Sequence, residues 1–128
     1  VNAFRVKNVS STYLSFFSKM LSTSNSNKDL KRITMMMKFF EDMYCLIEKF
    51  SHWIKPNGHV AFIIGNKKLG DEIIPTDTII DEIFTSFGFA SDGAIAHKLK
   101  TNNSNSQVPW QERIIENEFI MLYTKETQ

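Results

Sequence analysis

The side chains that could do chemistry fall in a few places. Asn66-Lys67-Lys68 is a short basic turn between Gly65 and Gly70. Thr101 to Arg113 is rich in Asn, Ser, Thr and Gln, and carries Asn102, Asn103, Trp110, Gln111 and Arg113. Asn and Gln can read adenine edges, an indole can stack or wedge, and a guanidinium can hold a phosphate. The same run also reads as a polar loop that Trp110 anchors to the core. The three histidines, His52, His59 and His97, have no metal-type spacing and no cysteine beside them. Asp71, Glu72, Asp77, Asp81 and Glu82 are acidic, but most sit at a helix start, where carboxylates suit the dipole. A nuclease-type cluster is therefore rejected. Cys45 is the single cysteine and reads as a small core residue in a helical segment. No metal site and no catalytic residue is identified.

The wider composition frames these residues. A chain of 128 residues with a 42% hydrophobic share argues for one packed domain, residues 1–128. Formal net charge is +1, so a nucleic-acid partner must rest on local patches. One cysteine makes no internal disulfide, which fits a reducing compartment. No stretch approaches the roughly 20 apolar residues of a membrane span, and Val1 to Ser10 lacks signal-peptide order. The expected location is cytoplasmic, with no membrane partner.

The elements that must position these side chains follow from periodicity. Residues 1–30 are poorly defined, apart from a helical face at Thr12 to Leu21. Ser22 to Asn27 is a loop by composition. Lys31 to Trp53 repeats apolar residues every three or four positions, a long amphipathic helix that Asp29 could cap. The Met35-Met36-Met37 run within it reads as core filler. Pro56-Asn57-Gly58 is turn chemistry. Val60 to Ile64 is apolar without alternation, which reads as a strand covered on both faces, as inside a parallel sheet. Lys67 to Gly70 reads as a loop. A helix from Pro75-Thr76-Asp77 presents Ile79, Ile80, Ile83, Phe84 and Phe87, and ends at Gly88. Ala94 to Lys100 and Glu118 to Thr124 are closing strands, expected to pair antiparallel. The fold class is α/β.

At this point the residues resemble a known pattern. Phe40-Glu41-Asp42-Met43-Tyr44, Ile54-Lys55-Pro56-Asn57-Gly58-His59 through Ile64-Gly65-Asn66, Ile74-Pro75-Thr76-Asp77 and Phe87-Gly88-Phe89 look like the back half of DNA methyltransferases that modify an exocyclic amino group. Arg113 to Lys125 is similar to their last strand pair. The resemblance covers Lys38 to Lys125, and residues 31–128 would be the C-terminal half of that fold. It implies a partial Rossmann-like methyltransferase sheet of about three strands, the last pair antiparallel, with packed helices. It implies methyl transfer from S-adenosylmethionine to adenine N6 or cytosine N4, as part of DNA modification. It also places Asn66, Lys67 and Lys68 on the substrate side, where they would contact phosphates. A solvated basic turn is the other reading of those three residues.

The chain departs from the pattern upstream. The family binds its cofactor through a glycine-rich loop and catalyses with an Asp, Asn or Ser followed by Pro-Pro-aromatic. None of the five glycines here is spaced Gly-x-Gly, and none of the three prolines is adjacent to another. The isolated chain is therefore expected to be inactive and to bind no cofactor, S-adenosylmethionine entering only with a complementary half. In the whole fold Val60 to Ile64 would have a further strand beside it. Alone, its edge is expected to pair with a separate chain carrying the missing half, to self-associate, or to be covered by the N-terminal segment. The alternative from another class is a non-catalytic remnant, a protein-interaction module using that edge.

Overall fold

The computed structural model describes residues 4–98 and 117–126. A 3-10 turn at Val6–Asn8 buries Val6 completely. Helix α1 (Ser11–Thr23) starts where the Ser10 hydroxyl accepts a hydrogen bond from the Tyr13 N–H at 3.0 Å. That satisfies one of the helix's orphan first-turn donors. Its apolar set splits, with Tyr13 and Phe17 buried and Leu14 and Leu21 exposed.

Helix α2 (Asn27–Trp53) begins four residues earlier than its apolar repeat suggests, because Ser26 caps it. The Ser26 hydroxyl accepts from the Asp29 N–H, so Asp29 is a first-turn carboxylate and not the cap. Ile33, Phe40 and Ile47 are its buried apolar stripe. Met36 and Met37 pack against the core, whereas Met35 is 65% exposed, so the methionine run is only partly core.

Two carboxylates on the helices hold the N-terminal segment. Glu41 of α2, itself buried, accepts from the Arg5 N–H at 2.8 Å and the Val6 N–H at 3.0 Å. Glu82 accepts from the Thr12 N–H and from the Ser10 and Thr12 hydroxyls. The region expected to be poorly defined is thus tied to the helices in residues 4–23. Its described residues, 4–30, form no strand and do not pair with Val60 to Ile64.

Strand β1 (His59–Gly65) follows the turn at 55–58. Asn57 takes the positive φ, at 68°, while Gly58 is needed for space. A Cβ on Gly58 would lie 2.6 Å from Ile54 Cγ2 and 2.8 Å from the Lys55 carbonyl oxygen. Beyond β1, the stretch read as a loop is a small antiparallel hairpin of β2 (Lys68–Leu69) and β3 (Glu72–Ile73). Helix α3 (Thr76–Ser86) buries Ile79, Ile80, Ile83 and Phe84, and Gly88 beyond it takes φ 84°. Strands β4 (Phe89–Lys98) and β5 (Asn117–Lys125) close the described chain.

The three long strands form one sheet in the order β1-β5-β4, with both pairings antiparallel. The closing strands pair as expected. The parallel-sheet reading of Val60 to Ile64 is corrected: its one strand neighbour among the described residues, β5, runs antiparallel to it. The reading of two covered faces is corrected as well. Val60, Phe62 and Ile64 pack against the core with Phe119, Met121 and Tyr123, while Ile63 on the opposite face is 61% exposed. A continuous apolar run cannot say which of its faces finds a cover. Phe84 of α3 is the aromatic hub of the covered face. Its ring centroid stands 4.1 Å from Tyr123, 5.2 Å from Phe89 and 5.3 Å from Phe62.

Candidate functional site

Asn66, Lys67 and Lys68 leave β1 at its C-terminal end and enter the β2–β3 hairpin. The hairpin explains their placement. The Ile74 N–H donates to the Lys67 carbonyl at 2.9 Å, and Lys68 pairs with Ile73. With the backbone thus fixed, both lysine side chains are exposed. The Lys67 ammonium stands 5.9 Å from the centre of the Phe39 ring, a long cation–π approach that leaves its charge in solvent. Asn66 is half-buried, and its Oδ1 is enclosed without a hydrogen-bond partner.

The tertiary structure adds residues that the sequence did not single out. Arg32 of α2 borders two clefts flanking the hairpin. One, of about 440 Å³, is lined by Arg32, Met35, Met36, Lys68, Leu69, Gly70 and Asp71. The other, of about 430 Å³, brings Arg32 together with Lys19 of α1 and with Asp29, Asp71 and Glu72. Lys19 is bound to Glu72 at 2.8 Å. The surface around the hairpin is therefore mixed in charge, and its cations suit contacts to an anionic backbone without base readout. No sequence signal marks Arg32 or Lys19, because each lies on an ordinary polar helix face. Asn102, Asn103, Trp110, Gln111 and Arg113 lie outside the described residues.

Elsewhere several polar groups are engaged structurally. Cys45 is half-buried and not a core residue; its Sγ accepts from Arg5 Nη2 at 3.1 Å. The same guanidinium lies 4.5 Å from the centre of the Tyr44 ring and 3.7 Å from Glu48. Arg5 and Cys45 edge an open cleft of about 480 Å³ that includes Phe4, Lys38 and Asp42. The Tyr123 hydroxyl donates to Asp81 at 2.8 Å, and burial first, that bond second, pushes its ionisation well above the usual tyrosine range. Thr124 donates its hydroxyl proton to Asp92, so His59 Nδ1, 3.0 Å from the same oxygen, must be the donor to it. Among the described residues, no group of three His, Cys, Asp or Glu side chains could hold a metal ion.

Of Gly58, Gly70, Gly88 and Gly93, only Gly58 has atoms close to where a Cβ would sit, and those belong to its own turn. No helix of the described residues is long and apolar enough to cross a membrane.

No protein-family model matches the chain, and no curated protein matches it. A solved structure does. It is a candidate DNA modification methylase from Thermus thermophilus, at a TM-score of 0.56 and 19% identity, over 75% of this chain. The match spans 40% of that protein's length. The chain therefore shares its fold with less than half of a methylase-like protein, and the likeness is one of fold.

Proposed function

We propose that the chain is the trailing part of a DNA methyltransferase. It would act in the cytoplasm only together with a leading part that carries the S-adenosylmethionine loop and the catalytic turn. The reaction would be methyl transfer to the amino group of adenine or cytosine, as in DNA modification. The observation that carries this reading is the sheet: a β1-β5-β4 order with β1 bare on its outer side among the described residues, in a fold shared with part of a candidate DNA modification methylase. In that role the helices support the sheet, and Lys67, Lys68 and Arg32 contact phosphates. Asn66, Asn102, Asn103, Trp110, Gln111 and Arg113 are proposed as further DNA contacts on their side-chain chemistry.

Titration of S-adenosylmethionine into the isolated chain by calorimetry tests the division of labour. No heat of binding is expected. Micromolar affinity would overturn the assignment of the cofactor loop to another segment. Mixing the chain with a polypeptide from the adjacent coding sequence that bears Gly-x-Gly and Pro-Pro-aromatic should produce labelled DNA from labelled cofactor.

The bare β1 edge also favours a second reading, a remnant that only associates with other proteins. An adjacent coding sequence without those two motifs would select it.

A further inference from the structure

Helix α1 has one side packed and one side open. Tyr13 and Phe17 are buried, and Phe16 and Met20 pack against the core. On the other side Ser11, Leu14, Ser18 and Leu21 are all exposed, Leu14 by 49% and Leu21 by 40%. They follow one another at intervals of three, four and three residues. That is the a/d spacing of a coiled-coil seam, with serine at a and leucine at d. Ser15 and Ser22 flank the seam and are exposed as well.

This side of α1 carries no charge. The helix has one charged residue, Lys19, which lies off the seam and is bound to Glu72 at 2.8 Å. The open side of a helix is ordinarily charged, as α2 shows with exposed Lys28, Lys31, Lys38 and Asp42. Serine costs little to bury on a helix, because its hydroxyl can return to a carbonyl of the preceding turn. Ser22 already does so, donating to the Lys19 carbonyl at 2.8 Å. Two exposed leucines set among such serines form a surface that a second uncharged surface can cover without stranding a polar group.

We infer that the Ser11–Leu14–Ser18–Leu21 seam docks a second copy of this chain, the two α1 helices pairing antiparallel about a two-fold axis. The seam matches itself in that arrangement. In an antiparallel pair an a position of one helix meets a d position of the other. Ser11 then meets the other copy's Leu21, and Leu14 meets the other copy's Ser18. Every layer sets a leucine against a serine, so each large side chain enters the room that a small one leaves. Parallel pairing would set leucine on leucine and serine on serine, with gaps at the serine layers. A face without charge also gives identical copies nothing to repel, and gives a charged partner nothing to grip. The seam is short, so the interface lies at the small end of specific contacts and the dimer is weak. This inference rests on α1 alone and is independent of the proposed function.

Sedimentation equilibrium of the chain over a concentration series tests this. A monomer–dimer equilibrium is expected, half-dissociated on the order of 10–100 µM. A monomer throughout a series that reaches about 1 mM would overturn the surface. Leu14→Glu and, separately, Leu21→Glu alter exposed side chains, so the circular dichroism of the chain should stay unchanged. Each should raise the dissociation constant about tenfold or more. Ile63→Lys, on the sheet, is the control and should leave it unchanged. A dimer that survives both α1 variants, or that Ile63→Lys abolishes, would overturn the α1 surface. Mixing tests the register. Leu14→Glu chains mixed with Ser18→Lys chains should pair more tightly than either variant pairs with itself, because the opposite charges meet in one layer. No gain on mixing would overturn the antiparallel pairing.

Discussion

The two buried tyrosines face opposite consequences from one hydroxyl each. Tyr123 has a partner, Asp81, whereas the enclosed hydroxyl of Tyr13 has none. Burial first, and the Glu41 charge second, push the Tyr13 ionisation up from 10.0 to about 12. A raised value in the folded state means that the unfolded chain loses its proton first. The stabilisation is complete below pH 10.0 and is lost as pH rises toward about 12. Tyr13→Phe should remove that share of the alkaline decline in urea-unfolding midpoint. At neutral pH it should leave stability unchanged or raise it by up to about 1 kcal/mol, since no bond is broken. Tyr123→Phe should cost about 1 kcal/mol under the same measurement. Sequence reading singled out Asn66, Lys67 and Lys68 as candidates because a basic turn between glycines is visible in one dimension. It missed the anchoring roles of Glu41 and Glu82, whose hydrogen-bond partners lie 35 to 36 and 70 to 72 positions away.

Elements were legible wherever periodicity or turn chemistry was strong. Helix α3 and its Gly88 stop were readable because an isoleucine–phenylalanine face ends at a residue that tolerates positive φ. The early start of α2 was not, since Ser26 gains its meaning only from the Asp29 N–H above it. The turn before β1 shows a subtler limit. Asn-Gly suggests two residues free to adopt positive φ, yet only Asn57 does so. Gly58 is there because Ile54 and the Lys55 carbonyl crowd it. Gly58→Ala should therefore cost about 1–3 kcal/mol in urea unfolding, through displaced backbone. A loss below about 0.5 kcal/mol would show that the turn relaxes freely.

At the scale of the whole molecule the decisive feature is asymmetry. Among the described residues, β5 is paired on both sides, β4 ends the sheet with a bulge and a charge, and β1 ends it with neither. Amide hydrogen exchange should rank accordingly. β5 should be slowest, while alternate amides of β1, those directed away from β5, should exchange fastest of the apolar strands. A strand added beside β1 should slow those same amides and few others. Uniform protection of β1 in the isolated chain would mean that its edge is already paired.

The sequence by itself determined the main elements: three helices and three long strands, that the last two strands pair antiparallel, and that an apolar strand follows Pro56-Asn57-Gly58. These are local matters, settled by periodicity, caps and turns within a few residues. Only the tertiary structure decided that β5 lies between β4 and β1, that Arg32 lines a cleft with Lys68 of the hairpin, and that, among the described residues, one face of the sheet is exposed. Pairing partners and covered faces depend on contacts between residues far apart in the chain, and an apolar side chain carries no label for the surface that will bury it.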